Sequence, residues 1–353
     1  MPNELPSIYF YIPQFDWPKG CIPENIDTCQ PENFRLGAYS WTLQTYLRLK
    51  ADGFPCKLTN TCPSEGIVFG GRSAFPDNFK PGSRLLMIVH QGDKTKHPYA
   101  QLHVVQNLQD RMLTHPVLLW PSYYMRHWPQ PGLVPRNPER GDRFENIAYF
   151  GREENLASEL KESTWREQLE AMGLNWHVVS NPDHWSDYSY VDAVIAVRSF
   201  KSSGYSWKPA TKLYQTWHAG VPAILGCESA YQSERKSQLD YIEVRSLEDT
   251  IVALKQLRDD LNLRRAMIEN GRVRAEETQL ENLVVQWRNF FTNVAIPAYE
   301  QWCQASSLTQ QRFLMLRYLA VKTKGMRQSM QKVKNAVGLR TRIHSVVSNI
   351  RGD

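Results

Sequence analysis

The segment from Lys208 to Gly226 constrains the fold most, because it predicts a loop, a helix and a buried strand in close succession. Pro209 has no backbone N–H and belongs at or before the first turn of a helix. Gly220 is typical of a helix C-terminus, and the apolar run 221–225 is typical of a strand buried in a parallel sheet. A helix that leads directly into such a strand indicates an α/β protein.

The same alternation of strands and helices occurs twice along the chain. The first run predicts a helix over 36–52, which ends at Gly53, and strands at 7–13, 55–59, 66–69, 85–89, 102–106 and 116–120. The second run predicts helices from after Asn155 to about Met172, over 247–261 and beyond 264. It predicts strands at 146–150, 175–179, 191–197, 221–225 and 241–244.

A segment rich in proline and glycine, residues 128–141, separates the two runs and is the predicted linker. We therefore expect two Rossmann-like domains, residues 1–135 and 136–290, with parallel sheets that face each other across a cleft. A crossover helix and a basic tail, residues 291–353, would complete the chain.

Composition narrows the class of protein. A chain of 353 residues with 42% hydrophobic residues is long enough for two cores, and no apolar run reaches the ~20 residues of a membrane-spanning helix. The N-terminus lacks the layout of a signal peptide, which predicts a cytoplasmic protein. Six cysteines without a Cys-x-x-Cys pair predict reduced thiols, with neither disulfides nor a zinc site.

The positive charge is concentrated at the C-terminus. Residues 304–353 hold ten Lys or Arg and one acid, whereas the whole chain has a net charge of +6, so the body is mildly acidic. The tail over 307–351 alternates apolar and basic residues. It is either a packed or solvated helix, or a peripheral anchor on the anionic inner face of a membrane. No stacking platform or groove-reading motif accompanies it, so no nucleic-acid partner is expected.

The start of the helix after Pro209 predicts a binding site for a nucleoside diphosphate. Free N–H groups and partial positive charge at a helix N-terminus favour phosphate, and Lys208 and Lys212 flank Thr211 there. The Thr211 hydroxyl would either bind a phosphate oxygen or cap the helix.

Four stretches resemble the nucleotide-sugar glycosyltransferases of the GT-B type, which have two Rossmann-like domains. They are a glycine loop with its helix and strand, a strand ending in Gly-Arg, the signature helix and strand, and a terminal helix: 37–59, 147–152, 208–226 and 270–291. The chain departs from many retaining members, which carry glutamates where it has Lys208 and Gln215. It also lacks an Asp-x-Asp metal motif, so the resemblance implies transfer without metal or another cofactor.

The resemblance implies a donor site on the second domain. Without a metal, cationic side chains must stabilise the departing diphosphate, and the residues expected to bind the donor are Gly37, Arg152, Arg198, Lys208, Thr211, Lys212 and Glu228. For Lys208, Lys212 and Arg152, the alternative is an ordinary solvated cation on the surface. Glu228 would either bind ribose hydroxyls or cap the next helix, and Arg198 would line the nucleotide pocket or be an ordinary loop residue.

The acceptor, a glycan, a lipid-linked molecule or a small molecule, would bind the first domain. Inverting transfer needs a general base, for which His90, oriented by Asp93, and Asp16 are the candidates; retaining transfer needs none. A sugar-nucleotide epimerase and a phosphorylase are rival enzymes. A nucleotide-sugar or glycan-binding module tethered by its tail is the rival without catalysis.

Overall fold

The structure, a computed structural model, describes residues 5–19, 22–26, 36–114, 120–201 and 204–322. The strands of its first sheet are β1 (Ile8–Tyr11), β2 (Lys57–Thr59), β3 (Gly66–Gly71), β4 (Leu85–His90), β5 (Leu102–Val105) and β6 (Ser122–Tyr124). Those of the second sheet are β7 (Asn146–Phe150), β8 (Asn175–Val179), β9 (Ala193–Ala196), β10 (Ala223–Gly226) and β11 (Ile242–Val244).

Helices connect and cover the strands. They are α1 (Gln44–Ala51), α2 (Arg111–Thr114), α3 (Ser163–Ala171), α4 (Thr211–Ala219), α5 (Ser229–Glu234), α6 (Leu247–Asp259), α7 (Leu261–Ala275), α8 (Leu280–Phe290) and α9 (Ile296–Gln304). A π-helical segment, Ala38–Leu43, leads into α1, and a second one, Phe291–Ala295, joins α8 to α9. A last helical segment, residues 307–322, is called the C-terminal helix below.

The two sheets confirm the predicted α/β architecture. Their strand orders are β2-β1-β3-β4-β5-β6 and β11-β10-β9-β7-β8, and neighbouring strands pair in parallel throughout both. The strand predicted at 116–120 falls largely on residues 115–119, which lie outside the described part of the chain. The sixth strand of the first sheet is at Ser122–Tyr124.

Both faces of the first sheet are buried, as a parallel sheet requires. Along β4 every residue is buried, so its side chains pack alternately on two separate clusters. One cluster joins β1 and β3 to α1 and also to α8, whose Trp287 is fully buried against Phe69 with ring centroids 5.3 Å apart. The side chains of α8 thus pack on the core of the first sheet, although its residues follow the strands of the second.

The linker is anchored at several points, although many of its other residues are exposed. Trp128, at its start, is fully buried in the first core and donates a hydrogen bond to Thr45 at 2.9 Å. Further on, Arg136 and Arg140 both pair with the buried carboxylate of Asp192, at 2.8 and 2.7 Å. Burial alone would raise the pKa of Asp192, but hydrogen bonds led by that from Arg140 hold it below its usual range. These contacts fix the entry into the second domain.

The C-terminal helix packs on the first domain at the amino-terminal edge of its sheet. Gln310 donates a hydrogen bond to the Ser83 carbonyl, just before β4, at 3.1 Å, and Arg317 donates to the Ala100 carbonyl, just before β5. The opposite face of this helix is exposed and carries several apolar side chains among polar ones, namely Leu308, Met315, Leu316, Tyr318 and Leu319. The rest of the predicted amphipathic tail, 323–351, lies outside the described residues.

Candidate functional site

A cavity of about 840 Å³ lies between the two domains, where the carboxyl ends of both sheets meet. Its lining includes Tyr11, Gly71 and His90, which end strands of the first sheet. From the second sheet it includes Phe150, which ends β7, and Arg198, which follows β9. A crevice at the carboxyl ends of parallel strands is the usual ligand site of such folds. The cavity is therefore the candidate functional site.

The structure brings almost all the predicted site residues to this cavity. Every one except Glu228 lines it: Asp16, Gly37, His90, Arg152, Arg198, Lys208, Thr211 and Lys212. Glu228 is buried directly behind Arg198, with an Arg198 Nε to Glu228 Oε2 distance of 3.2 Å.

Lys212 lies in the first turn of α4 and faces the interior of the cavity. Its Nζ is 5.5 Å from the centre of the Tyr149 ring, and within the described part of the chain no carboxylate is within salt-bridge distance. Burial, and then the charge of Arg198, lowers the pKa of Lys212 to about 7. A partly buried ammonium group that is paired with no carboxylate suits an anionic ligand, which would neutralise its charge.

The N-terminus of α4 offers donors that no side chain caps. Ala210 is the N-cap residue, and Thr211 occupies the first helical position, so the capping role considered for Thr211 is wrong. Pro209 precedes the cap and fixes the approach of the loop. The first N–H groups of a nine-residue helix thus face a cavity that also holds Lys212.

Gly151 allows close approach at the end of β7. Its φ of +142° lies in a region that favours glycine. A Cβ atom there would lie 3.0 Å from the Tyr149 hydroxyl and 3.4 Å from Nζ of Lys212. The absence of a side chain keeps the space in front of Lys212 open.

Glu228 pairs with Arg198 and does not cap the next helix, which was the alternative role predicted for it. The carboxylate is at the N-cap position of α5 but makes no side-chain capping bond. Burial raises the pKa of Glu228, against the opposing charge of Arg198. Among the described atoms, Oε1 of Glu228 has no hydrogen-bond partner, so one buried acceptor remains for a hydroxyl group.

On the first domain, His90 ends β4 and stacks on Trp41 with ring centroids 3.8 Å apart. Burial, and then the neighbouring His127, lowers the pKa of His90 well below its usual range, so its imidazole is neutral at pH 7. Asp16 closes the short 3-10 turn Gln14–Asp16 after β1 and is only half-buried.

Asp93 does not orient His90 as the sequence suggested. Its Oδ2 instead pairs with Nζ of Lys208, which belongs to the other domain. The turn after β4 explains this, because Gly92 has a φ of +56° and carries Asp93 out towards the second domain. Arg152 is more than half exposed at the cavity rim, with Glu154 3.7 Å away.

Sequence reasoning missed Tyr149 and Gln215 as lining residues. Tyr149 lies under Lys212, and its hydroxyl donates to the Arg152 carbonyl at 3.0 Å. Gln215 is one helical turn after Thr211 and accepts a hydrogen bond from Tyr188 at 3.1 Å. The four-residue spacing from Thr211 was a usable signal for Gln215. No sequence signal pointed to Tyr149, because every residue of β7 after the first is buried and the pattern does not distinguish Tyr149 from its core neighbours.

Among the described residues, no helix combines the length and the hydrophobicity that spanning a bilayer requires. No group of three or more His, Cys, Asp or Glu side chains there is arranged to hold a metal ion.

Several solved structures are similar to this chain. Sucrose-phosphate synthase from Thermosynechococcus elongatus matches with 11% identity and a TM-score of 0.46, over 74% of this chain and 78% of that one. HepE from Anabaena, solved with UDP, matches with 9% identity and a TM-score of 0.47, over 82% and 100%. The pneumococcal O-GlcNAc transferase GtfA, solved with UDP and GlcNAc, matches with 12% identity and a TM-score of 0.41, over 75% and 60%.

No protein-family model and no curated protein matches the sequence. The fold follows from the topology of the chain itself. Two Rossmann-like domains, with parallel strands that end at a shared cavity, constitute the GT-B architecture, and this chain has that fold.

Proposed function

We propose that this protein is a glycosyltransferase that moves a sugar from a nucleoside-diphosphate sugar to an acceptor bound in the same cleft. The observation that carries the proposal is the cationic end of the cavity. Lys212, Arg198 and the uncapped N-terminus of α4 converge there, on the second domain, opposite the polar groups of the first.

This arrangement suits the departure of a diphosphate. The bond from the anomeric carbon to the diphosphate oxygen breaks, and the negative charge that develops falls on oxygens beside Lys212 and the helix N-terminus. Fixed cations and dipoles in a site shielded from water stabilise such charge most strongly. Transfer would not need a metal under this proposal. The unpartnered Oε1 of Glu228 suits a hydroxyl of the donor's ribose.

The acceptor oxygen forms the new bond and loses its proton. In inverting transfer a base on the first domain takes that proton, and the proposed bases are His90 and Asp16, which both line the cavity. A neutral imidazole accepts a proton, but the lowered pKa of His90 makes it a weak base. His90→Gln and Asp16→Asn separate these roles, because loss of the base lowers kcat while donor binding stays unchanged.

The first test is a thermal-shift screen against UDP-, GDP-, ADP-, dTDP- and CMP-linked sugars, with Lys212→Ala as the control. A ligand at 100 times its Kd stabilises the folded state by about 2.7 kcal/mol. We expect a shift with one nucleotide family, lost in the variant. No shift with any donor would refute the donor site.

Turnover then separates the transferase from its rivals. With the identified donor and an acceptor panel, a transferase releases nucleotide in proportion to the glycoside formed, and EDTA leaves the rate unchanged. An epimerase converts the donor without any acceptor, a phosphorylase consumes free phosphate, and a binding module shows a shift without turnover.

An anionic membrane surface is a proposed partner of the C-terminal helix. Its exposed face combines apolar side chains such as Leu316 and Leu319 with Arg312 and Lys322, which suits lipid tails and acidic headgroups. The full chain should sediment with vesicles that contain phosphatidylserine and less with neutral ones. The double variant Leu316→Glu/Leu319→Glu should not sediment, whereas Val252→Glu, an exposed apolar position on α6, should behave like the wild type.

A further inference from the structure

The loop before α4 is held by the first domain, although it carries part of the donor site on the second. The Gln106 side chain donates to the Trp207 carbonyl at 2.9 Å, and Asn107 donates to the Lys208 carbonyl at 3.0 Å. Asn107 also donates to Ser229 Oγ at 3.0 Å. Both residues follow β5, so the edge of one sheet positions the loop of the other.

The Lys208–Asp93 pair belongs to the same junction and crosses the cavity. The Lys208 side chain is 21% exposed and the Asp93 side chain 52%, and both residues line the cavity. Their pairing is therefore open to competition by a ligand in a way that a fully buried pair is not. Gln106 and Asn107 hold the backbone of the loop whether or not the ion pair is made.

The charges around Lys208 favour such competition. Lys212 and Arg198 make this end of the cavity cationic, and the carboxylate of Glu228 is already paired with Arg198. The Asp93 carboxylate supplies the anionic oxygen that pairs with Lys208. A diphosphate held by Lys212 would bring several anionic oxygens to the same place and carries more charge than one carboxylate.

We propose that Asp93 acts as a latch: in the ligand-free protein its carboxylate pairs with Lys208 across the cleft, and the diphosphate of the donor replaces it as the partner of Lys208. The proposal rests on the proposed donor site. Exchange of partners would loosen one contact between the domains when the donor binds. It would also leave the Asp93 carboxylate unpaired on the side of the cleft assigned to the acceptor.

The first arm of the test needs no ligand. Limited acetylation of lysines, read by peptide mass spectrometry, measures the accessibility of Lys208 relative to the exposed Lys255. Asp93→Asn should raise the relative modification of Lys208 by about twofold or more, because a competing partner is removed. Glu65→Gln, which removes a comparable exposed carboxylate paired with Arg84 at 3.0 Å, should not. Equal modification in the wild type and Asp93→Asn overturns the latch.

The second arm is calorimetric titration with UDP, GDP, ADP and dTDP. The nucleotide that binds should bind Asp93→Asn about two- to fivefold more tightly than the wild type, the range expected for a partly exposed ion pair. In a Lys208→Ala background, Asp93→Asn should have no further effect. A gain that persists there would reflect general electrostatics, and weaker binding would make Asp93 a positioning group for Lys208; either result overturns the latch.

Failure of the proposed function gives a different pattern. In that case the acetylation difference at Lys208 appears, but none of the four nucleotides binds either protein. The ion pair would then stand, while the donor site and the exchange would both be refuted.

Discussion

The environment of Lys212 couples the binding of an anionic ligand to the protonation of its side chain. Burial most strongly disfavours its charge, followed by Arg198 and Lys208, whereas Glu228 favours it; the Tyr149 ring centre is 5.5 Å from its Nζ. With a pKa of about 7 in the ligand-free protein, Lys212 loses its proton as the pH rises above neutrality. A bound diphosphate would keep the ammonium charged, so binding above pH 7 would take up one proton.

Nucleotide affinity should therefore fall between pH 7 and pH 9, approaching about tenfold per pH unit for one proton. The terminal phosphate of the nucleotide, with a pKa of about 6, is already ionised over this range. Calorimetry in buffers of different ionisation enthalpy measures both the affinity and the proton uptake. Lys212→Arg, which stays charged, should bind without this pH dependence; an unchanged slope in that variant would assign the proton to another group.

Gly151→Ala tests the open space in front of Lys212. The new methyl group would contact Tyr149 and Lys212, so nucleotide affinity should fall at least tenfold. Gly53→Ala is the matched control, because its φ of +74° imposes similar strain but nothing lies within 4 Å. Both variants should lose about 1 kcal/mol of stability. Equal nucleotide affinity in the two variants would mean that the ligand does not approach Gly151.

At the scale of elements, α8 belongs to the second run of the sequence but to the first core. Trp287→Ala would leave a cavity among Trp41, Phe69 and Phe291, and should lower the free energy of unfolding by about 3–5 kcal/mol. Denaturant unfolding measures this, with Val285→Ala, half exposed on the same helix, as a control near zero. A small loss for Trp287→Ala would show that α8 adds little to that core.

The sequence predicted best those elements whose signals are local. β7 and β8 have the predicted bounds, because turn residues enclose apolar runs, and α4 ends at Gly220, whose φ of +68° suits glycine. α8 could not be assigned to a domain in this way. Its apolar face predicts that it is buried but does not indicate which of the two sheets it packs on. The π-helical segment before α1 likewise has no sequence pattern that distinguishes it from an α-helix.

In the candidate site, too, the sequence predicted what local signals determine and not what contacts between distant segments determine. Lys212 and Arg152 were placed at the cavity from the ends of a helix and a strand, which sequence patterns locate well. The partners of Asp93 and Glu228 depend on how distant segments meet, so the sequence could not choose between their roles. A residue's position relative to the cleft was thus predictable, whereas its partner was not.

At the scale of the whole molecule, a second junction joins the domains away from the cavity. Glu234 on α5 accepts hydrogen bonds from Tyr124 at 2.6 Å and from Tyr214 at 2.7 Å, and pairs with Arg126 at 3.1 Å. Burial would raise the pKa of Glu234, but these partners, led by Arg126, hold it below its usual range. Because Tyr214 lies on α4, this junction also fixes the helix that begins at the donor site.

Arg126→Ala should lower the free energy of unfolding by roughly 3 kcal/mol, since it leaves the Glu234 carboxylate buried without its cation. Adding Glu234→Gln should restore part of the loss. Lys236→Ala, which removes an exposed pair with Glu277 at 2.8 Å, should change stability by less than about 1 kcal/mol. Calorimetric unfolding measures all three, and equal losses for Arg126→Ala and Lys236→Ala would show that the junction is not effectively buried.

The position of the C-terminal helix determines which way a tethered molecule would face. The helix contacts the amino-terminal edge of the first sheet, whereas the cavity opens at the carboxyl edge, and a six-residue strand such as β4 separates the two edges by about 20 Å. Anchored through this helix, the protein would direct its opening into the surrounding solution. The cavity would then be accessible to acceptors that are dissolved or that extend well beyond the lipid headgroups. Acceptors embedded in the bilayer would be less accessible to it.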